Sequence, residues 1–208
     1  MNTVTKMIQT IGLDLDNTIF DLEPIYKMGF KNQTKYKYTS PTSWEVYKCY
    51  PKEIADKILA YFRTEEVYKT PLLNLKYTIV VRYLQNKYNV KIVTSRVSDK
   101  PDVYYFGDIY RKKVSWVRNQ TFNQLVRNNI FIPMDDIIQT NSHNKTDELI
   151  SNKVDLMVDD SPITVENCLK NNIDCIMIST KKTPYNHYLR NKVEWYKNLF
   201  DLIKKRGL

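Results

Sequence analysis

Residues able to do chemistry cluster where apolar runs end. Ile11-Gly12-Leu13 leads into Asp14, Leu15, Asp16, Asn17 and Thr18; the stretch KIV leads into Thr94, Ser95 and Arg96; LMV leads into Asp159, Asp160 and Ser161. A lysine, Lys145, stands in HNKTDEL between the second and third clusters. If the apolar runs are strands of an open α/β sheet, their carboxyl ends share one edge, the edge where ligands bind in such sheets.

Carboxylates crowded on one edge repel unless something cationic sits among them. A hard divalent ion with oxygen ligands meets that need, and Mg²⁺ is the usual choice beside phosphate. Asp14, Asp16, Asp159 and Asp160 offer the oxygens. Thr94 and Ser95 can donate hydrogen bonds to a phosphoryl group, and Lys145 can neutralise its charge and that of an attacking carboxylate. One carboxylate can attack phosphorus and form an acyl phosphate. The second acid of the Asp-x-Asp pair can then protonate the leaving oxygen and activate water.

Each of these residues also has a plainer reading. The Asp-x-Asp pair could form a turn and an N-cap, but two acids after a buried strand would then lack a reason. Asp159 and Asp160 could cap a helix starting at Pro162. Many strands end in Thr. Lys153 also precedes Asp159, but too closely to swing over a phosphate, whereas Lys145 lies 14 residues upstream at a helix start. His143 and His187 have no visible partners and read as surface residues.

Five apolar runs read as buried strands: Thr10–Asp14, Val90–Thr94, Ile137–Thr140, Val154–Asp159 and Ile173–Ser179. Between them lie helices. One opens at Pro71 and carries Leu72, Leu75, Ile79 and Tyr83 on one face. Another runs from Asp108 to Asn129 with Val117, Leu125 and Val126 inward. A third has Ser161 as N-cap and Pro162 at its first position. The tail from Asn186 to Lys205 reads as a final helix. Alternating strands and helices imply a parallel sheet of about five strands covered on both faces, a Rossmann-like α/β fold. Residues 22–70 break the rhythm and read as a small, mainly helical insert after the first strand. Its aromatics, Phe30, Trp44 and Phe62 among them, are mostly the insert's own core.

The 208 residues suffice for one domain with a full core, and 42% apolar content argues for a globular chain. No run approaches the ~20 apolar residues of a membrane span. MNTVTKMIQT lacks the apolar centre of a signal peptide. Cys49, Cys168 and Cys175 show neither metal spacing nor a disulfide framework, and a reducing, cytoplasmic setting is expected. The net charge of +9 would attract phosphorylated ligands or nucleic acid. The basic residues are dispersed, however, as a Lys- and Asn-rich composition produces by itself.

Taken in order, the motifs resemble those of the haloacid dehalogenase superfamily of phosphotransferases. Asp14, Asp16 and Thr18 match its DxDx[TV] element. Thr94 in KIVTSR matches its second element, Lys145 its third, and Asp159-Asp160 in LMVDDSP its fourth. The likeness spans about residues 10 to 180. It implies a phosphatase core over residues 1–21 and 71–208 with residues 22–70 as a small cap. It implies Asp14 as nucleophile and Asp16 as proton carrier, with Thr18 and Asn17 in support. It further implies Mg²⁺ held by Asp14, the Asp16 carbonyl and Asp160, with Asp159 helping.

A small cap implies a small phosphorylated substrate and disfavours a nucleic acid end. FDLEP after the first motif, the TS pair, and the NKTDELISNKVDLMVDDSP segment resemble the 5'(3')-deoxyribonucleotidase branch, as does the Tyr-rich loop and Trp116-bearing helix after the second motif. That branch implies a nucleoside monophosphate as substrate. Asn17 departs from a frequent Gly, and Arg96 from a frequent Pro. Phe30, Trp44 and Phe62 are candidates to stack on a base, and Arg63 and Arg96 for a second anionic contact. A sugar phosphate, a 3'-phosphorylated nucleic acid end, and a nucleotide-binding module without turnover are the competing expectations.

Overall fold

A computed structural model of the chain describes residues 8–96, 108–140 and 144–208. In chain order the elements are β1 (Thr10–Leu13), α1 (Glu23–Gln33), α2 (Val46–Cys49), α3 (Lys52–Phe62), α4 (Tyr77–Gln85), β2 (Asn89–Thr94), α5 (Asp108–Arg127), β3 (Ile137–Gln139), α6 (Thr146–Ser151), β4 (Leu156–Asp159), α7 (Pro162–Lys170), β5 (Asp174–Ile178), β6 (Trp195–Tyr196) and α8 (Leu199–Arg206). The strands form one parallel sheet in the order β3-β2-β1-β4-β5-β6. Chain order reverses between β1 and β4, the position at which open α/β sheets leave a crevice for a ligand. His143 and most of the Tyr-rich loop after the second motif lie outside the described residues. Among the described residues no helix is long and apolar enough to cross a membrane.

Period-two alternation sorts the strand residues onto two faces. Ile11, Leu13, Ile92, Leu156, Val158, Ile176 and Ile178 pack with Tyr77, Val80, Val81 and Leu84 of α4 and Leu199 and Leu202 of α8. Val93, Met157 and Met177 face the other way, against Leu149, Val165 and Cys168 of α6 and α7. Gly12 belongs to this second face. A Cβ there would lie 2.9 Å from Met157 Sδ and 3.0 Å from Val154 Cγ1, so β1 has glycine where its neighbours have already filled the space.

Residues 22–70 fold as α1, α2, α3 and a 3₁₀ turn over Glu65–Lys69, with their own core of Phe30, Val46, Tyr50, Ile54, Ala55 and Ile58. The segment leaves and rejoins the sheet along paired backbone: Leu73 N–H donates to Ile19 O and Asp21 N–H to Pro71 O, each at 2.9 Å. This pairing corrects the expected helix start at Pro71. Leu72 is committed to an antiparallel bridge with Phe20, so α4 begins only at Tyr77. Its inward face is also not the expected one. Leu75, Ile79 and Tyr83 are 85, 67 and 38% exposed, while Tyr77, Val80, Val81 and Leu84 are buried. Both stripes have helical spacing, and the helix's phase on the sheet decides between them. In α5, Val117 and Leu125 are buried and Val126 is half-buried.

The tail is a second correction. Asn186–Lys205 is not one helix: a 3₁₀ segment over Pro184–Leu189 precedes the short sixth strand β6, and α8 starts at Leu199 with Asn198 as its cap. Ser161 caps α7 as expected, accepting from Thr164 N–H at 3.4 Å, with Pro162 next.

Candidate active site

The β1–β4 register pairs Leu13 with Val158, so Asp14 and Asp159 leave adjacent strands side by side, and Asp14 N–H donates to Val158 O at 2.9 Å. With Asp160 they form a buried carboxylate group whose ligand oxygens lie within 4.8 Å of one another. Lys145, 2% exposed at the start of α6, reaches into it. Its Nζ donates to Asp14 Oδ1 at 2.6 Å, to Asp159 Oδ2 at 2.8 Å and to Val93 O at 2.8 Å. These contacts use all three ammonium hydrogens.

One ammonium faces three carboxylates, and the imbalance shows in their acidities. Burial, with the charges of Asp159 and Asp16, raises Asp14 to about 7 despite Lys145. Burial and the charges of Asp14 and Asp159 likewise push Asp160 well above the usual carboxylate range. Burial alone would lower Lys145, but Asp14 and Asp159 outweigh it and raise its pKa. A divalent cation would supply the missing charge. The donor set fits one, because all the side-chain ligands are hard carboxylate oxygens.

The oxygens divide the work. Asp159 is spoken for, Oδ2 by Lys145 and Oδ1 by Ser161 N–H at 2.8 Å. Asp160 Oδ2 accepts from Tyr185 OH at 2.5 Å. Lys145 takes Asp14 Oδ1 and Tyr185 takes Asp160 Oδ2, so each of these carboxylates has its other oxygen to offer a cation, while Asp159 anchors Lys145.

Asp16 stands apart from this group, paired with Arg96. Arg96 Nε donates to both Asp16 oxygens, at 3.1 and 2.9 Å, and Nη2 donates to Oδ1 at 2.5 Å. Arg96, expected to meet a substrate anion, does line the cavity, but its side chain is 3% exposed and its guanidinium is paired with Asp16. Asn17 holds a left-handed turn at φ 58°, a conformation Asn adopts more readily than most residues, which explains how it replaces glycine. Its backbone N–H donates to Phe20 O at 2.7 Å instead of facing the cavity. Its side chain accepts from Leu22 N–H and donates to Tyr185 OH. Thr18 is fully buried, and its hydroxyl has no partner among the described residues, so it orients nothing by hydrogen bonding.

The second motif is partly corrected as well. Ser95 lines the cavity above the carboxylates; Thr94 is buried behind it, its hydroxyl accepting from Arg96 N–H at 3.3 Å. That cavity, of about 460 Å³, has Asp14, Asp16, Ser95, Lys145, Asp159 and Asp160 on its polar side. Opposite are Leu22, Tyr26, Trp44, Val46, Leu59, Phe62 and Val67, with Arg63 and Ile163. Trp44, Phe62 and Arg63 are thus brought to the site. Phe30 is not: it is 2% exposed in the insert's core, edge-on to Tyr38 and Tyr50.

Tyr185 went unread in the sequence. It touches Asp160 and Asn17, and its ring meets Trp44 edge-on at 5.2 Å. Standing just before the tail that reads as helix, it gives no signal beyond its place after Pro184.

The chain has the fold of the haloacid dehalogenase-like hydrolases. A haloacid dehalogenase-like family hydrolase from Streptococcus pneumoniae superposes with a TM-score of 0.61 at 12% identity, over 95% of this chain and 97% of its own. YfnB from Bacillus subtilis, in a form bound to magnesium, gives 0.60 at 13% identity over 98 and 100%. CbbY from Rhodobacter sphaeroides, in complex with phosphate, gives 0.55 at 13% over 94 and 96%. No protein-family model and no curated protein sequence matches the chain.

Proposed function

We propose that this protein is a Mg²⁺-dependent phosphomonoester hydrolase, with a nucleoside monophosphate as its substrate. One observation carries the reaction class: Lys145 bridging Asp14 and Asp159 at the floor of a cavity that also holds Asp16, Asp160 and Ser95. YfnB, of the same fold, binds magnesium, and CbbY binds phosphate, which supports the reading.

Asp14 and Asp160 would hold the cation, which supplies positive charge to the phosphoryl oxygens and to the attacking carboxylate. Ser95 binds the phosphate, and Lys145, its three hydrogens already given to Asp14, Asp159 and Val93 O, acts on it through its charge. Lys145, fixed by Asp159 and Val93 O, keeps Asp14 aimed and lowers the repulsion between its carboxylate and the phosphoryl group. Asp14 attacks phosphorus, the bond to the leaving oxygen breaks, and an aspartyl-phosphate forms. Asp16 delivers a proton to the leaving oxygen, then takes one from the water that splits the acyl phosphate. Thr94 supports the loop that presents Ser95. Residues 22–70 act as a cap closing over a core of residues 1–21 and 71–208, and the site excludes bulk water when it closes.

The nucleoside reading rests on the cavity wall. Tyr26, Trp44, Phe62 and their aliphatic neighbours present flat aromatic and apolar surface, suited to a base. The sugar-phosphate reading has one observation in its favour: CbbY is also known in complex with xylulose-(1,5)bisphosphate. Phosphate release from 5'- and 3'-nucleoside monophosphates (ribo and deoxy), sugar phosphates and a 3'-phosphorylated oligonucleotide decides. Selective turnover of a nucleotide is expected; turnover confined to sugars or oligonucleotides would keep the chemistry and discard the substrate.

A further inference from the structure

We infer that Arg96 is a positioning residue for Asp16, held in place by Gln124 and Thr70, and that its hydrogen bonds serve the Asp16 carboxylate instead of the substrate phosphate. The inference rests on the proposed hydrolase reading. Arg96 follows Thr94 and Ser95 on the strand end expected to meet phosphate, where a cation would serve as an anion contact. Arg96 does line the cavity, yet its side-chain hydrogen bonds go to neighbouring protein groups. Nε and Nη2 grip Asp16 from one side, and Nη1 donates to Gln124 Oε1 at 2.5 Å. Gln124 Nε2 in turn donates to Thr70 Oγ1 at 2.9 Å and to Thr70 O at 3.2 Å. The guanidinium carbon lies 5.1 Å from the centre of the Tyr68 ring and 5.8 Å from that of Phe20. The backbone is fixed too, with Arg96 O accepting from Gln139 Nε2 at 2.8 Å.

A guanidinium this buried stays on Asp16, because leaving that carboxyl would strand it without a partner. The grip is uneven. Oδ1 accepts from two N–H groups and Oδ2 from one shared with it, so Oδ1 is the more firmly anchored oxygen and Oδ2 the one with more capacity left for proton transfer. The chain of contacts joins four separate segments: the loop after β1, the end of β2, α5 and the segment at Thr70 that returns from the insert. Asp16 is thereby referenced to the place where the insert rejoins the sheet.

The test is steady-state kinetics on the best substrate with inorganic phosphate as competitive inhibitor. For Arg96→Lys and Arg96→Ala, kcat should fall about 10²-fold, the scale of a misaligned general acid. KM and the phosphate inhibition constant should move less than about threefold. Guanidinium ion should restore part of kcat to Arg96→Ala. In an Asp16→Asn background the Arg96 change should cost almost nothing more, since the two act as a unit. Gln124→Leu, which leaves both charges in place, serves if the Arg96 variants melt at the assay temperature, and should lower kcat with phosphate inhibition unchanged. Phosphate inhibition weakened about tenfold or more, or kcat unaffected, would overturn the assignment while leaving the hydrolase intact. Wild-type protein without turnover of any phosphomonoester would overturn the hydrolase reading and this assignment with it.

Discussion

Lys145 is the side chain on which most of the proposed site depends. It is buried with two carboxylates on its ammonium, and removing it leaves those charges facing each other. Lys145→Met should abolish turnover and lower the unfolding free energy of metal-free protein by about 3–5 kcal/mol, measured by urea titration. An unchanged midpoint would mean that the carboxylates are not charged together. Tyr185 offers a subtler test. Tyr185→Phe keeps the ring against Trp44 but removes the hydroxyl from Asp160 and Asn17, and loss of such a supporting contact typically weakens metal binding about 10–100-fold. Titration with Mn²⁺ would read this directly, and wild-type affinity would show that Asp160 orients itself. At this scale the sequence was most informative about acids and the lysine, because carboxylates after a buried strand have few other uses. It was least informative about Arg96, Phe30 and Tyr185. Whether an arginine faces a ligand or a neighbour, and whether a phenylalanine faces a cavity or a core, depends on packing between segments far apart in the chain.

The strands were legible because each is a short apolar run between polar turns, and their bounds shifted by a residue or two. The helix over Tyr77–Gln85 was legible in existence but not in phase. Two apolar stripes compete on it, and only contact with the sheet and α8 separates them. The distinction can be checked. Leu75→Lys and Ile79→Lys should change stability by no more than about 0.5 kcal/mol, as exposed sites do. Val80→Ala and Leu84→Ala should cost about 1–4 kcal/mol, from lost burial and the cavities left behind. The reverse pattern would put the wrong face inward. Gly12 gives a matching test on β1: Gly12→Ala should cost about 1–3 kcal/mol through the clash with Met157 and Val154. The sixth strand went unseen because two residues, Trp195 and Tyr196, carry no period at all.

On the whole molecule, metal, protons and stability are linked through the same carboxylates. Asp14 binds its proton up to about pH 7 when folded and only to the ordinary carboxylate value of 3.8 otherwise. Between those values the folded state holds the extra proton, so this group's contribution to stability falls as pH rises through the window. A divalent ion competes with that proton. Mg²⁺ should therefore raise the melting temperature more at pH 8 than at pH 5, and equal shifts at both would remove Asp14 from the metal site. Sequence periodicity anticipated the architecture that brings these groups together: a parallel sheet with an insert after its first strand. The cavity wall was anticipated only in part, at Trp44, Phe62 and Arg63 but not at Tyr26 or Val67, since it forms between the insert and the sheet edge and no local pattern encodes which side chains of the insert turn toward that gap.

Everything proposed here turns on Asp14 as the nucleophile, so the most direct measurement is to trap it. Protein quenched during turnover with Mg²⁺ and then treated with borohydride converts an acyl phosphate on Asp14 to homoserine, which peptide mass spectrometry locates. The expected result is homoserine at position 14 alone, absent without substrate and absent when EDTA precedes it. Phosphate release with Asp14 unmodified, or the label on another carboxylate, would contradict the mechanism.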